Sequence, residues 1–433
     1  MLTFAVFAVL VLLILLNLPI FVAIGSTAAL FFAGLGQGNF LAMLPQRMYA
    51  GTTGFTLLAI PFFILAGNLM NTGGITNRIF RFARALVGHV PGGLGQVSVI
   101  SSMIFSGMSG SAVADAAGLG QIQHKAMVDN GYAPVVSASI VAAASTIGPV
   151  IPPSIPFVLY GALTSVSVAR LFLAGFVPGV IMGLALMAVI AVMAKPRGFP
   201  RSARASLRES AVRFREAFLP LLAPVIIIGG ILSGIFTPTE ASVVVCLYAL
   251  FLGFLYRDLR IRDLPGIFWT SIRQSVGLLL IMAAANFFGW FTIFQQIPDN
   301  IISALTSLSA GGAGVMAMIV VIVLVLGCFI EGNAIFLITI PIFLPVARQY
   351  GFDLVNLGVV MTLLIMIGNL TPPLGMCLFA VSSFSGIGIG DLARESWPYI
   401  LGILLITLLI AYVPEIATYL PNLLMGPESG VMP

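Results

Sequence analysis

Residues 148–153 read Gly148-Pro149-Val150-Ile151-Pro152-Pro153, and about 220 residues further on the chain reads Gly368-Asn369-Leu370-Thr371-Pro372-Pro373. Each stretch lies in the middle of a long apolar run. Pro has no N–H to give a helix, and its ring clashes with the carbonyl of the preceding turn. Two in succession, after Gly148 or after Gly368 and Thr371, predict a helix that unwinds near its middle. Carbonyls released at membrane depth are costly unless they line a cavity or meet an ion. The runs 133–168 and 355–388 are therefore read as broken helices; a simple proline kink is the plainer alternative.

The same spacing recurs outward from these breaks. Ser109-Gly110-Ser111-Ala112 matches Glu331-Gly332-Asn333-Ala334, and Gly131-Tyr132 matches Gly351-Phe352. Pro178 falls opposite Pro398, and Pro19 opposite Pro238. Landmarks kept in register over the whole chain mark an internal repeat. The apolar stretches 94–127 and 313–349 each carry a small, polar interruption, which predicts a hairpin that enters and leaves on one side. Each half then holds an odd number of crossings plus one hairpin, so the second copy is upside down relative to the first, the plan of many secondary transporters. The first repeat takes 1–194, with scaffold helices over 1–71. A basic cytoplasmic linker covers 195–216. The second repeat takes 217–433, with scaffold helices over 217–296.

That the solvent is lipid follows from composition. Of 433 residues, 60% are hydrophobic and 8% are charged, against roughly 45–50% and about 25% in soluble domains. The net charge of +5 comes from scarce charges and offers no basic face, which excludes a nucleic-acid partner. Three Cys, without metal-ligand spacing, exclude a disulfide scaffold. The expected fold is an all-α polytopic membrane protein. Spans of roughly 20 apolar residues fall at 1–17, 19–36, 53–71, 133–168, 171–194, 217–236, 239–256, 274–296, 355–388 and 397–414. Met1 to Gly34 carries no charge and is too long for a cleavable signal peptide. It reads as two helices meeting near Asn17-Leu18-Pro19, or as one long tilted helix. Cytoplasmic loops collect Lys and Arg, so the cluster from Lys195 to Arg215 goes inside. Arg78, Arg81, Arg84, Arg257, Arg260, Arg262 and Arg273 then also fall inside, and only Arg47, Arg170 and Arg348 outside.

The chemistry is expected at the interruptions. Gly permits sharp turns, and Ser hydroxyls accept from or donate to a ligand. Two oxygen-rich Na⁺ cages are implied. One draws on Ser106, Ser109, Gly110 and Ser111, closed by Thr146, Gly148 and Pro149. The other draws on Glu331, Gly332 and Asn333, closed by Gly368, Asn369 and Thr371. A packing patch of small residues is the plainer reading of either. No Lys or Arg is expected at the midplane, so an anion would be held by helix N-termini, hydroxyls, amides and bound Na⁺. The anion is placed against Ser111, Asn333 and the paired prolines Pro152, Pro153, Pro372 and Pro373. Ionisable groups in lipid are functional hypotheses by default. Glu331 ligates Na⁺ or carries a proton; Asp115 does likewise or caps its hairpin helix. Glu240 caps a helix at a membrane edge.

The residues also resemble a known family, the large membrane subunit (DctM-type) of tripartite ATP-independent periplasmic (TRAP) transporters. The resemblance covers nearly the whole chain. It rests on Ala59-Ile60-Pro61-Phe62-Phe63-Ile64-Leu65-Ala66-Gly67-Asn68, Gly88-His89-Val90-Pro91-Gly92-Gly93 and Ser109-Gly110-Ser111-Ala112-Val113-Ala114-Asp115. It continues through Gly148 to Ser154, Leu159-Tyr160-Gly161, Ala174 to Gly179, Gly234 to Ala241 and Asn369 to Pro373. It implies an elevator-type transporter of the bacterial inner membrane, in which a domain holding both hairpins slides against a scaffold. It implies a Na⁺ gradient as driving force and a carboxylate-bearing solute. It implies two partners, a four-helix small membrane subunit (DctQ-type) and a periplasmic solute receptor (DctP-type).

The main rival is a stand-alone H⁺- or Na⁺-coupled organic-anion transporter that uses Glu331 and Asp115. An intramembrane enzyme is disfavoured, because no paired catalytic Asp, metal-binding His pair or Ser with a His base lies at depth. Two occluding hairpins argue against an open channel.

Overall fold

The structure, a computed structural model, describes residues 2–16, 18–72, 74–307 and 311–427. Among them every regular element is a helix. Seven helices are long and apolar enough to cross a membrane, and an eighth span results if the pair Gly38–Ala50 and Phe55–Asn71, bent by 57°, counts as one. The chain opens with two helices, Leu2–Leu15 and Ile20–Gly34, rather than one long one. The expected junction residue Asn17 lies outside the described residues. Pro19 caps the second of these helices and Pro238 starts Pro238–Leu255, so the two matched prolines occupy matched places.

Both small, polar interruptions are hairpin tips. Helix Gly93–Ser109 ends at Gly110, whose φ of 63° only glycine adopts without strain, and the chain returns through Ala112–Ala117 and Leu119–Asp129. The arms are stitched by Gln123, whose amide donates to the Ser101 hydroxyl at 3.0 Å and the Ser102 hydroxyl at 3.1 Å. In the second half, Gly312–Phe329 turns at Ile330 and Glu331 into Gly332–Gln349.

Both paired-proline stretches are breaks. Pro134–Ser145 stops at Thr146, and Ile155–Thr164 resumes with Ser154 as its N-cap. Leu354–Gly368 stops at Asn369, and Met376–Ser385 resumes after Gly375. The Pro152-Pro153 and Pro372-Pro373 bonds are both cis. Each broken helix is followed by a long span with an internal proline, Val168–Ala194 with Pro178 and Ile389–Tyr412 with Pro398.

The halves interleave. Ala59–Thr72 packs along Pro238–Leu255, and Leu264–Phe294 packs against Ile20–Gly34. Ile389–Tyr412 lies on Pro134–Ser145, and the Tyr160 hydroxyl donates to the Leu354 carbonyl at 2.6 Å. A core shared in this way cannot be cut at the linker without exposing apolar faces of both copies.

Several boundaries differ from the sequence reading. The basic stretch expected as a linker over 195–216 is helical from Leu207, because Ser206 caps Leu207–Leu232 and its arginines extend the span beyond the apolar part. The span expected at 274–296 starts ten residues earlier, as Leu264–Phe294. Four helices were not anticipated as elements. These are Leu44–Ala50, the amphipathic Ile75–Val87, Ile297–Ser307 and Glu415–Met425, which are too short or too polar to register as spans. Trp290 packs on Phe32 with centroids 5.1 Å apart and lies under the Arg47 guanidinium at 4.9 Å.

Candidate functional site

A cavity of about 650 Å³ brings the tips and breaks together. Its wall carries Ser109, Gly110 and Ser111 from the first tip and Pro149 from the first break. From the second half it takes Glu331, Gly332 and Asn333 at the tip and Asn369 at the break. These four segments lie far apart in sequence and share no surface until the halves interleave.

Two further helices close the cavity, and the sequence reading had not assigned them to it. Ile64, Gly67, Asn68 and Asn71 line it from Ala59–Thr72, and Thr270, Arg273, Gln274, Gly277, Leu278 and Ile281 from Leu264–Phe294. Both sets follow the three-and-four spacing of one helix face. That spacing was the available signal, hidden because both stretches read as plain apolar spans. Asn68 ties the two helices together by donating to the Ser271 hydroxyl at 2.8 Å and to Gln274 Oε1 at 3.1 Å.

At the first tip Ser111 is the N-cap, accepting from the Ala114 amide at 3.4 Å. Asp115, expected either as a Na⁺ or proton site or as a cap, is not the cap; it accepts from the Ser109 hydroxyl and so ties one arm to the other across Gly110. The reason is position. Asp115 stands a full turn into the helix, past the reach of the first amides, which Ser111 already serves. Asp115 is buried, and its Oδ2 has no hydrogen-bond partner among the described residues. Gly148 lies against that oxygen, with no room for a side chain between them. Gly110 itself lies on the break; a Cβ there would stand 2.7 Å from the Pro153 carbonyl oxygen. The Ser154 hydroxyl donates to the Pro149 carbonyl and holds the break in shape.

At the second tip Glu331 is the N-cap, accepting from the Ala334 amide at 3.2 Å and from the Asn333 amide at 2.8 Å. Gly327 and Gly368 meet backbone to backbone; a Cβ on Gly368 would stand 2.7 Å from the Gly327 carbonyl oxygen. The break is tethered to the hairpin by the Leu374 amide, which donates to the Cys328 carbonyl at 3.0 Å.

Not every expected residue faces the cavity. The Ser106 and Thr146 hydroxyls are buried and donate to the Ser102 and Ala143 carbonyls of their own helices, each at 2.6 Å. Thr371 likewise donates to the Ile367 carbonyl at 2.8 Å. Gly148 and Gly368 stand behind the wall, as packing contacts. Pro152 and Pro153 are buried outside it, and Pro372 and Pro373 are exposed outside it, so none of the four touches the space an anion would fill. Their place is set by the breaks, whose prolines shape the turn while Pro149 and Asn369 face inward. Glu240 sits away from the cavity in a reciprocal cap with Thr237, whose amide donates to Glu240 Oε2 at 2.8 Å. No Lys or Arg is expected at the midplane, yet Arg273 lines the cavity. The arginine was assigned to a membrane face because the span was begun at residue 274, whereas the helix starts at Leu264 and carries Arg273 onto the cavity wall.

Among the described residues no group of three or more His, Cys, Asp or Glu could hold a metal ion. The donors present are hydroxyls, amides, two carboxylates and the carbonyls of broken helix ends, a hard-oxygen set suited to alkali cations.

Comparison with known proteins places these features in a context. Residues 7–416 match the family model for the tripartite ATP-independent periplasmic transporter, DctM component. The chain is 42% identical to the sialic acid TRAP transporter large permease protein SiaM of Vibrio cholerae, over 92% of this chain and 93% of that protein. It is 40% identical to the C4-dicarboxylate TRAP transporter large permease protein DctM of Pseudomonas aeruginosa, over 88% and 89% of the two chains. Its fold is similar to that of the YdaH transporter of Alcanivorax borkumensis, with a TM-score of 0.62 at 16% identity, covering 87% of this chain and 88% of that one.

Proposed function

This chain belongs to the DctM component family of tripartite ATP-independent periplasmic transporters, multi-pass proteins of the bacterial inner membrane that transport rather than catalyse, and from that premise we propose that it is the large permease of a Na⁺-coupled importer of carboxylate-bearing solutes. The observation that carries the proposal is the meeting of two hairpin tips and two helix breaks on one cavity. Interrupted helices turn amide ends and carbonyl ends toward a common space, so an anion and cations bind side by side.

Na⁺ is a co-substrate here. Ser109, Gly110, Ser111 and Pro149 bound the first candidate site, with Ser106, Thr146 and Gly148 behind them. Glu331, Gly332, Asn333 and Asn369 bound the second, with Gly368 and Thr371 behind. The unpartnered Asp115 oxygen supports a cation near the first. Bound Na⁺ neutralises carboxylates that would otherwise repel an anionic solute. Coupling follows from that balance, because the solute binds well only after the cations.

The two halves are taken as inverted repeats, and the hairpins with their broken helices as an elevator that moves against the helices 20–72 and 207–294. Asn71 on the cavity wall is followed three residues on by Gly74, which abuts Asp258 of the Arg78–Asp258 pair (2.6 Å); with the arginines of 257–262 this end is taken as cytoplasmic under the positive-inside rule. A DctQ-type small subunit would complete the scaffold, and a DctP-type receptor would deliver the solute; the relatives' names point to sialic acid or C4-dicarboxylates as the solute class.

The test is uptake into proteoliposomes holding this chain and its small subunit, with and without receptor, under an inward Na⁺ gradient. Uptake that needs both Na⁺ and receptor is expected. Equal uptake from choline medium, or uptake without receptor, would favour the stand-alone carrier that works through Glu331 and Asp115.

A further inference from the structure

Helix Ile75–Val87 is amphipathic and too short to cross a membrane. It buries Ile75, Ile79, Phe80 and Ala83 and turns Asn77, Arg81 and Arg84 outward, at the spacing of one helix face. It packs against Leu207–Leu232, where Phe82 meets Phe214 with ring centroids 5.7 Å apart. Its far end is tied to the chain just ahead of that helix, because the Ser202 amide donates to the Gly88 carbonyl at 3.0 Å. The two helices therefore run antiparallel and share one seam.

The seam combines unpaired cations with uncovered apolar surface. On Leu207–Leu232 an exposed stripe of Leu207, Ala211, Phe214 and Phe218 has exposed Arg208 and Arg215 beside it. Arg81, Arg84, Arg208 and Arg215 make no ion pair among the described residues. Arg81 places its Nε–H on the Asn77 carbonyl at 3.4 Å and keeps its other donors. Neighbouring arginines are neutralised, Arg78 by Asp258 at 2.6 Å and Arg213 by Glu216 at 3.0 Å. Glu209 belongs to the first turn of its helix, beside the free amide ends. The apolar part of the span begins near Ala217. Arg208 and Arg215 thus stand at the level of lipid headgroups, and Phe218 at that of the first methylenes.

We propose that this seam binds an anionic phospholipid of the cytoplasmic leaflet. Its phosphate is held by Arg81, Arg84, Arg208 and Arg215, whose guanidinium forks match phosphate oxygens. Its acyl chains lie along Phe214 and Phe218. A zwitterionic lipid carries the same phosphate but brings an ammonium group among the arginines, and is held less well. The inference does not rest on the transport reading. Its position gives it weight, because both nearby connections between the halves' helices run through the seam. Gly88 leads into the hairpin arm Gly93–Ser109, and the 195–206 segment comes from Val168–Ala194, with Phe199 packed on Tyr132 at 4.9 Å. A lipid here fastens two connections at once.

The experiment is native mass spectrometry of this chain with its small subunit, delipidated and titrated with phosphatidylglycerol or with phosphatidylcholine of identical acyl chains. Tighter binding of phosphatidylglycerol is expected. Arg81→Gln with Arg84→Gln, and Arg208→Gln with Arg215→Gln, should each weaken that binding about tenfold or more. Arg260→Gln with Arg262→Gln, which removes two exposed arginines elsewhere on the cytoplasmic side, should leave it unchanged. Melting temperatures in phosphatidylcholine nanodiscs report whether each variant is folded. Phosphatidylglycerol nanodiscs should raise the melting temperature of the unaltered protein and raise it less in the two seam variants. Equal binding of the two lipids overturns the inference, as it would if the small subunit covered the seam. Equal weakening by the Arg260/Arg262 pair also overturns it, since general attraction to a basic face would then suffice. Displacement of phosphatidylglycerol by millimolar inorganic phosphate would make this a site for free phosphate and overturn the lipid assignment.

Discussion

The two hairpin tips stand at sequence motifs about 220 residues apart, yet they are closed by different chemistry. The first is tied by a side chain. Asp115 reaches from the returning arm to the Ser109 hydroxyl, with the turn itself held by Gly110 in a left-handed conformation. The second is tied by backbone. Glu331 satisfies its own helix end, and the hairpin is held to the broken helix where Gly327 meets Gly368. The difference decides which carboxylate is accessible: Glu331 lines the cavity, and Asp115 stands behind it. Matched sequence motifs thus mark where a tip forms, while each half closes its tip in its own way.

The largest effect is expected at Gly110. Gly110→Leu combines a disfavoured φ with a Cβ 2.7 Å from the Pro153 carbonyl oxygen, so the tip must move off the break. Uptake in proteoliposomes should fall about a hundredfold, a loss on the order of 3 kcal/mol in the transport barrier, while size-exclusion profiles stay monodisperse. Normal uptake would show that this tip does not bound the site.

Gly368→Ala tests the backbone contact in the second half. The added methyl meets the Gly327 carbonyl oxygen at 2.7 Å and its Cα at 2.8 Å, neither of which can swing aside. Overpacking of this kind costs about 1–3 kcal/mol, seen as a lowered melting temperature in nanodiscs. An unchanged melting temperature would mean that the two helices are not locked at this crossing.

Asp115→Ala leaves the buried Ser109 hydroxyl without its acceptor, at a cost of about 1–3 kcal/mol. Asp115→Asn keeps an acceptor oxygen and should cost less. Equal losses in the two variants would mean that charge, and not the hydrogen bond, closes the first tip. The smallest change in stability is expected for Glu331→Gln, which still offers an oxygen to the Ala334 amide. Loss of an N-cap costs about 0.5–2 kcal/mol, so a melting temperature close to that of the unaltered protein would confirm a retained cap. A drop as large as that of Asp115→Ala would make the two tips more alike than their geometry indicates.

Much of this organisation was legible before any coordinates. The break at Gly148–Pro153 and its partner at Gly368–Pro373 announced themselves through proline chemistry, which acts locally and overrides apolar periodicity. Ser109–Ser111 and Glu331–Asn333 stood out because small and polar residues interrupt runs that otherwise suit lipid. The differences between expectation and structure have a common cause. Arg273 was placed at a membrane face because hydropathy marks where lipid begins, not where a helix begins. Residue type marks Ser106, Thr146 and Thr371 as candidate ligands; each hydroxyl donates its proton to a carbonyl of its own helix, which leaves its oxygen lone pairs for a cation. The paired prolines, expected against the anion, lie outside the cavity wall and shape the turn. Of the roles open to Asp115, the cap goes to Ser111, which the distance of Asp115 from the tip could not reveal.

The sequence alone determined that this chain lives in lipid, that its helices break at four places, and that those places come in matched pairs, because composition, proline and glycine act on the segment that contains them. Only the tertiary structure decided which broken ends share a cavity, which carboxylate faces it, and that an arginine stands on its wall. Those outcomes depend on how helices from one half pack against helices from the other, and contacts between segments two hundred or so residues apart leave no local trace in the chain.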